Sequence, residues 1–251
     1  MTLFGHRVPM MSSLLVWCLL WELIGRLDLM FLVPPFTAVL AAMVELVQSR
    51  QFLAATAITL RSFAVGMALA IVVGVALGVL MGRFRAADRL LGMWVNLFVS
   101  APLSALVPIL MILFGLGDTT IIATVFMFAV WIIVLDTQAG VKHISGSLVE
   151  MSKSFGAKPR DVYLKILLWA ALPEILAGIR LGMIRGVKGV VIGQLLVSVI
   201  GYGELFELYS RNFLMERFWA LTILVFAFAI LVSELVGAIE KRIEYYAGVR
   251  Q

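Results

Sequence analysis

The chain has 251 residues, 63% of them hydrophobic and 14% charged, with a mean hydropathy of +1.07. Soluble domains are nearer half apolar and a quarter charged, so the composition excludes one and predicts an integral membrane protein. The net charge of +5 and pI of about 9.6 do not point to nucleic acid, because the basic residues lie in short stretches between apolar runs, where they set orientation.

In chain order, residues 8–25 form a first apolar run after a short start containing Arg7. No small-x-small cleavage site follows, only Arg26, Leu27 and Asp28, so the run predicts a membrane helix with its N-terminus inside rather than a signal peptide. Cys18 is the one cysteine and lies in this run, which excludes an intrachain disulfide framework and a cysteine metal site. His6 and His143 are too far apart in sequence to suggest another metal site. Val33, Pro34 and Pro35 predict a turn, and residues 36–47 a short helix on the outer surface.

Residues 60–82 form a second span, long enough at roughly 20 residues to cross a bilayer. Gly66, Ala70, Gly74, Gly78 and Gly82 recur every fourth position in it, a small-residue stripe that lets helix backbones approach closely. Arg83, Arg85 and Arg89 mark an inner loop. Residues 90–114 form a third span, bent at Pro102 and Pro108, and 115–119 a short outer turn. The fourth span is 120–141, with Asp136 near its inner end. A polar hairpin follows, then a fifth span at 175–200, an outer loop opened by Gly201-Tyr202-Gly203-Glu204, and a sixth span at 218–240. Of the Lys and Arg residues outside these spans, twelve fall on the inner side and four, Arg26, Arg50, Arg211 and Arg217, on the outer. That bias predicts both termini inside. The expected fold is all-α, one transmembrane domain over 1–251 with about six spans.

The hairpin, residues 147–173, is the segment around which the rest is organised. Ser147 and Glu150 have capping-box spacing, and Gly156 sits where the first helix must stop, since a left-handed residue is cheap only for glycine. Pro159 suits the first turn of a second helix and Asp161 its positive end. Val162, Tyr163, Ile166, Leu167 and Ala170 then recur at helical spacing, and Pro173 breaks or bends the helix.

This stretch resembles the EAA motif of ATP-binding-cassette importer permeases, roughly E-A-A-x3-G-x9-I-x-L-P. Glu150, Gly156, Ile166 and Leu168 fall at the required spacing. Met151 and Ser152 replace the alanines and Trp169 the first proline, which leaves Pro173 to make the bend. Ala101-Pro102-Leu103, Val107-Pro108-Ile109 and Phe114-Gly115-Leu116-Gly117 resemble the nitrate, sulfonate, taurine and bicarbonate type of permease in that family. The resemblance implies a type I (MetI-like) permease in a bacterial inner membrane, importing a small solute such as an organic or inorganic anion. It implies a hairpin that couples to ATPase subunits through Glu150, Ser154, Phe155, Gly156, Ala157, Lys158, Ile166, Leu168 and Pro173. The implied partners are two such ATPases inside, a second permease copy or paralogue, and a solute-binding protein outside. No cofactor and no catalytic site are expected in the chain itself. No G-x-x-x-x-G-K-[ST] is present, so ATP would be bound on a separate subunit.

Inside the fifth span, Arg180, Arg185 and Lys188 lie within about 140° of one another at 100° per residue. Beside them run Gly178, Gly182 and Gly186, with Gly189 and Gly193 following. A charge at that depth is expensive, so each cation needs a cavity or a partner. Two readings stand: a structural role, by pairing with Asp136 or by snorkelling to the inner boundary, or a path for an anionic solute lined by Asp136, Arg185, Lys188 and Gln194. Two rival functions stand as well, an ion-gradient-driven carrier and an importer of a neutral or heterocyclic solute such as a vitamin precursor.

Overall fold

The structure is a computed structural model and describes residues 2–3, 6–7, 10–144, 146–158 and 161–246. Apart from a two-residue antiparallel ladder between Thr2–Leu3 and His6–Arg7, every regular element among the described residues is helical. The long helices are α1 (Met10–Arg26), α2 (Phe36–Gln48), α3 (Arg50–Arg83), α4 (Arg85–Ser100), α5 (Val107–Phe114) and α6 (Asp118–Lys142). They are followed by α7 (Gly146–Ser154), α8 (Leu172–Val197), α9 (Gly201–Arg211) and α10 (Met215–Tyr246).

Helix α6 is the axis of the molecule, and small residues explain how its neighbours reach it. A methyl group built on Gly66, Gly74, Gly78 or Gly82 of α3 would come within 2.5–2.8 Å of Val125, Ile133, Thr137 or Val141 of α6. Each glycine meets the residue 59 positions further on, so α3 and α6 run parallel in one register over the whole stripe. On the other side of α6, Gly178 and Gly182 of α8 lie against Asp136 and Ile133, and Gly189 and Gly193 against Phe128 and Thr124. That order is antiparallel. In lipid, where apolar surface gains nothing by leaving the solvent, such close backbone packing holds helices together.

Three helices, α3, α6 and the Met215–Leu235 part of α10, are each long and apolar enough to cross a membrane. Two bent pairs raise that number to five by length and composition: α4 with α5, at 99°, and α8 with α9, at 48°. Helix α1 has 17 described residues, about 26 Å at 1.5 Å per residue, at the lower end of the length a span needs. It is nevertheless tied down. Glu22 accepts hydrogen bonds from the Thr37 backbone N–H and hydroxyl at the start of α2, and Trp21 and Trp219 donate to the Pro34 and Leu32 carbonyls.

Two expected features come out differently. The third span is not a gently kinked rod but breaks at Ala101, which is extended, and Pro102. A residue before proline is pushed out of the helical region, and the chain turns there. Pro108 makes no bend, because it sits in the first turn of α5, where its missing N–H is harmless. The stretch expected as an outer loop from Gly201 is helix α9, with Gly201, Tyr202, Gly203, Leu205 and Tyr209 buried. Ser198, left-handed at φ 55°, makes the break, and the Tyr202 and Thr56 hydroxyls hydrogen-bond at 2.9 Å to pin α9 on α3.

Candidate functional site

Between α6 and α8 the chain leaves the core as a hairpin. Helix α7 begins at Gly146, so Ser147 lies in its first turn, and the helix stops at Gly156, whose φ is 77°. The Ala157 N–H reaches back to the Ser152 carbonyl at 3.0 Å, the closing bond of a glycine C-cap. Pro159 and Arg160 lie outside the described residues. Beyond them Asp161 and Val162 both donate to the Lys158 carbonyl, and Val162–Leu167 winds as a π-helix into a last α turn at Leu168–Ala170. Val162 and Leu167, five apart, are both buried, as the wider turn of a π-helix allows and the 3.6-residue period expected does not. Ala170 accordingly is exposed, while Ile166 and Leu168 are half-buried. Ala171 breaks the helix and Pro173 takes the second position of α8, so the bend falls just before the proline.

The tip carries the exposed groups. Phe155 is 84% exposed and Met151, one turn before it, 52%, while Ser152 on the opposite side is buried. Glu150, Ser154, Gly156 and Lys158 are exposed around them. A bulky apolar pair on an otherwise polar arm is a docking feature. Behind the arm lies a groove of about 1010 Å³, walled by Glu150, Ala157, Val162 and Leu167 on the hairpin side and by Arg83, Arg85, Asp88 and Lys142 on the other.

Asp88 closes this end of the molecule. It accepts from Lys142 Nζ at 2.7 Å and from the Gln138 side-chain amide, joining α4 to α6. Neither partner is predictable from local sequence, since Lys142 is 54 positions away. The hydrogen bond from Lys142 holds the Asp88 carboxyl below its ordinary value, against a smaller opposing push from desolvation and with further help from the Lys142 charge and from Gln138. A carboxylate with a lowered pKa stabilises the fold above its unfolded value and loses that contribution as pH falls through the lower folded value. The melting difference between the parent protein and Asp88→Asn should therefore hold from neutral pH down to about 5 and shrink below about 4. A difference that grows on acidification would contradict this coupling.

The four residues expected along a solute path do not form one site. Asp136 lies level with Gly178 and Gln194 sixteen residues further along α8, about 24 Å away. Gln194 is 1% exposed and exchanges hydrogen bonds with the Thr59 hydroxyl at 2.9 and 3.1 Å, bracing the α8–α9 break. Asp136 Oδ2 is buried with no hydrogen-bond partner among the described residues, and no ion pair to Arg185 closes on it. Lys188 is exposed and sits about 15 Å along the axis from Gly178, so the expected Lys188–Asp136 pair is not formed. At the other end of the core, Asp118 pairs with Arg61 at 3.1 Å and accepts from Ser62, a cluster that sequence reading did not single out.

Residues 70–245 match the family profile described as binding-protein-dependent transport system inner membrane component. The chain is 27% identical over 199 residues to the taurine transport system permease protein TauC of Escherichia coli, 76% of this chain and 72% of that one. It is 27% identical over 225 residues to the bicarbonate transport system permease protein CmpB of Synechocystis sp., 84% of this chain and 80% of the relative. Against other permease relatives, such as one from Methanocaldococcus jannaschii at 35% identity, the chain spans only about half of the relative's length, 48% in that case. Its fold is similar to that of a solved chain of the MetNI methionine ABC transporter in inward-facing conformation, with a TM-score of 0.65 and 22% identity over 78% of this chain and 96% of that chain.

Proposed function

We propose that this chain, which belongs to the family of binding-protein-dependent transport system inner membrane components, is the membrane-spanning permease subunit of an ATP-driven importer. The hairpin carries the reading. It is a short arm with an exposed apolar tip, closed by a left-handed glycine and rooted in α6 and α8, which pack on each other through glycines. A protein docked on Phe155 and Met151 holds a lever on both helices.

In this reading ATP is hydrolysed on two separate subunits, one at each hairpin of a permease pair, and a solute-binding protein loads the pathway from outside. The solute is a small organic or inorganic anion, a class supported by the taurine and bicarbonate permeases to which the chain is similar. The membrane is a bacterial inner membrane, crossed several times, with both termini and the hairpin in the cytoplasm.

Two experiments test it. The chain should co-purify with an ATPase subunit, and the reconstituted complex should take up solute only with ATP and a loaded binding protein. Uptake that follows an ion gradient without ATP would return the carrier reading. In a Cys18→Ser background, cysteines at Leu116 and Glu204, both exposed, should react with an impermeant thiol reagent from outside. Cysteines at Lys158 and Arg85 should react only once the membrane is opened, and labelling of Lys158 from outside would end the coupling reading. Gly203 is not usable as an outer marker, because a side chain there would fall on the Gln194 carbonyl.

A further inference from the structure

The side of α8 turned away from its glycines carries Leu181, Lys188 and Leu195, seven residues apart, so they stack along one face with a drift of about 20° per step. Leu181 is 45% and Leu195 43% exposed, and Lys188 between them is exposed too. Among the described residues no acid pairs with Lys188. Helix α8 is about 39 Å long, and a ~30 Å hydrocarbon layer centred on it leaves Lys188 on the order of 10 Å inside the outer edge. That is further than a four-carbon stem spans to reach interfacial water.

The environment of this face is therefore neither plain lipid nor bulk water. Lipid does not accept an unpaired ammonium at that depth. Bulk water does not reach that depth along a lipid-facing helix. A narrow wet passage satisfies both, its apolar walls sparing the leucines and its water solvating the charge. Within the permease reading, on which this rests, we infer that Lys188 faces the solute path and is the residue that selects for negative charge in what passes.

A test that needs no knowledge of the solute uses the whole transporter in membranes, with Leu181→Cys, well inside the layer, as a reporter in a Cys18→Ser chain. Two water-soluble methanethiosulfonates of equal size and opposite charge, one sulfonate and one ammonium, are compared by reaction rate. Both should label Leu181→Cys well above a lipid-facing control, Val72→Cys on α3, because only a thiolate reacts and a thiol in hydrocarbon does not ionise. Lys188→Met should lower the anionic-to-cationic rate ratio by about fourfold or more, as Coulomb's law gives for one charge across roughly 10 Å of water, and Lys188→Arg should keep the ratio. A reporter as inert as Val72→Cys, or a ratio unmoved by Lys188→Met, overturns the inference. Absence of ATP-driven uptake in the parent protein would instead overturn the permease reading, and it leaves the rate ratio to decide the role of Lys188 by itself.

Discussion

Gly78→Leu is expected to prevent assembly of the helical core, whereas Gly92→Ala should leave folding and yield unchanged. The first added carbon at position 78 would lie 2.5 Å from Thr137 Cβ and 2.8 Å from the Val134 carbonyl oxygen, and neither group can rotate away. Thr137 and Val134 are both fully buried, with α8 packed on the far side of the same helix. Overpacking of a tight site costs about 1–3 kcal/mol, a large fraction of a typical stability of about 5–15 kcal/mol. Here the strain is not confined to one site, because Gly66, Gly74 and Gly82 hold the same parallel register and α3 can retreat only by losing all of those contacts. Gly92 on α4 has only Asp88 Oδ1 near it, at 3.6 Å, an ordinary contact. Yield of monodisperse protein and melting temperature in detergent decide the comparison. A Gly78→Leu protein that melts like its parent would show that the two helices do not rely on this contact.

At the hairpin the expected result is reversed, with folding intact and coupling lost. Phe155→Asp should weaken association with the ATPase subunit by about 30-fold or more, since central aromatic anchors account for 2 kcal/mol and upward of an interface. Because Phe155 is 84% exposed in the chain alone, the same change should alter stability by no more than about 0.5 kcal/mol. Gly156 separates backbone from contact. A side chain there meets nothing within 4 Å, so any effect of Gly156→Val comes from the φ of 77°, which costs an L-residue about 1–2 kcal/mol. Gly156→Asn should be tolerated, as asparagine adopts that conformation more readily. Binding of the ATPase subunit and ATP-driven uptake are the readouts. Equal binding by Gly156→Val and Gly156→Asn, at parent level, would remove the turn from the mechanism.

Much of this was legible in the residues themselves. The four-residue spacing from Gly66 to Gly82 announced a face for close packing, and the structure lays it on α6. Gly156 announced the end of a helix, and Pro173 a break near Ala171. Each of these is local: φ preference, missing donors and helical periodicity depend on a residue and its nearest few neighbours in the chain, so they can be read without knowing the fold.

Which of two prolines bends the third span was not local. Pro102 does and Pro108 does not, because position within a helix decides whether the missing N–H matters. Helix α9 was read as a loop because Gly201 and Gly203 look like turn residues. In place they are small so that the chain can lie against Gln194 of α8. The partners Asp88–Lys142, Asp118–Arg61 and Gln194–Thr59 join residues 54, 57 and 135 positions apart. The sequence alone determined where most of the long apolar helices run, where the hairpin helix stops and which faces carry small residues. Only the tertiary structure decided which helix each face meets, and with it that Asp136 lies level with Gly178 while Lys188 is left to face outward, because pairing follows adjacency of helices and adjacency is a property of the packed core.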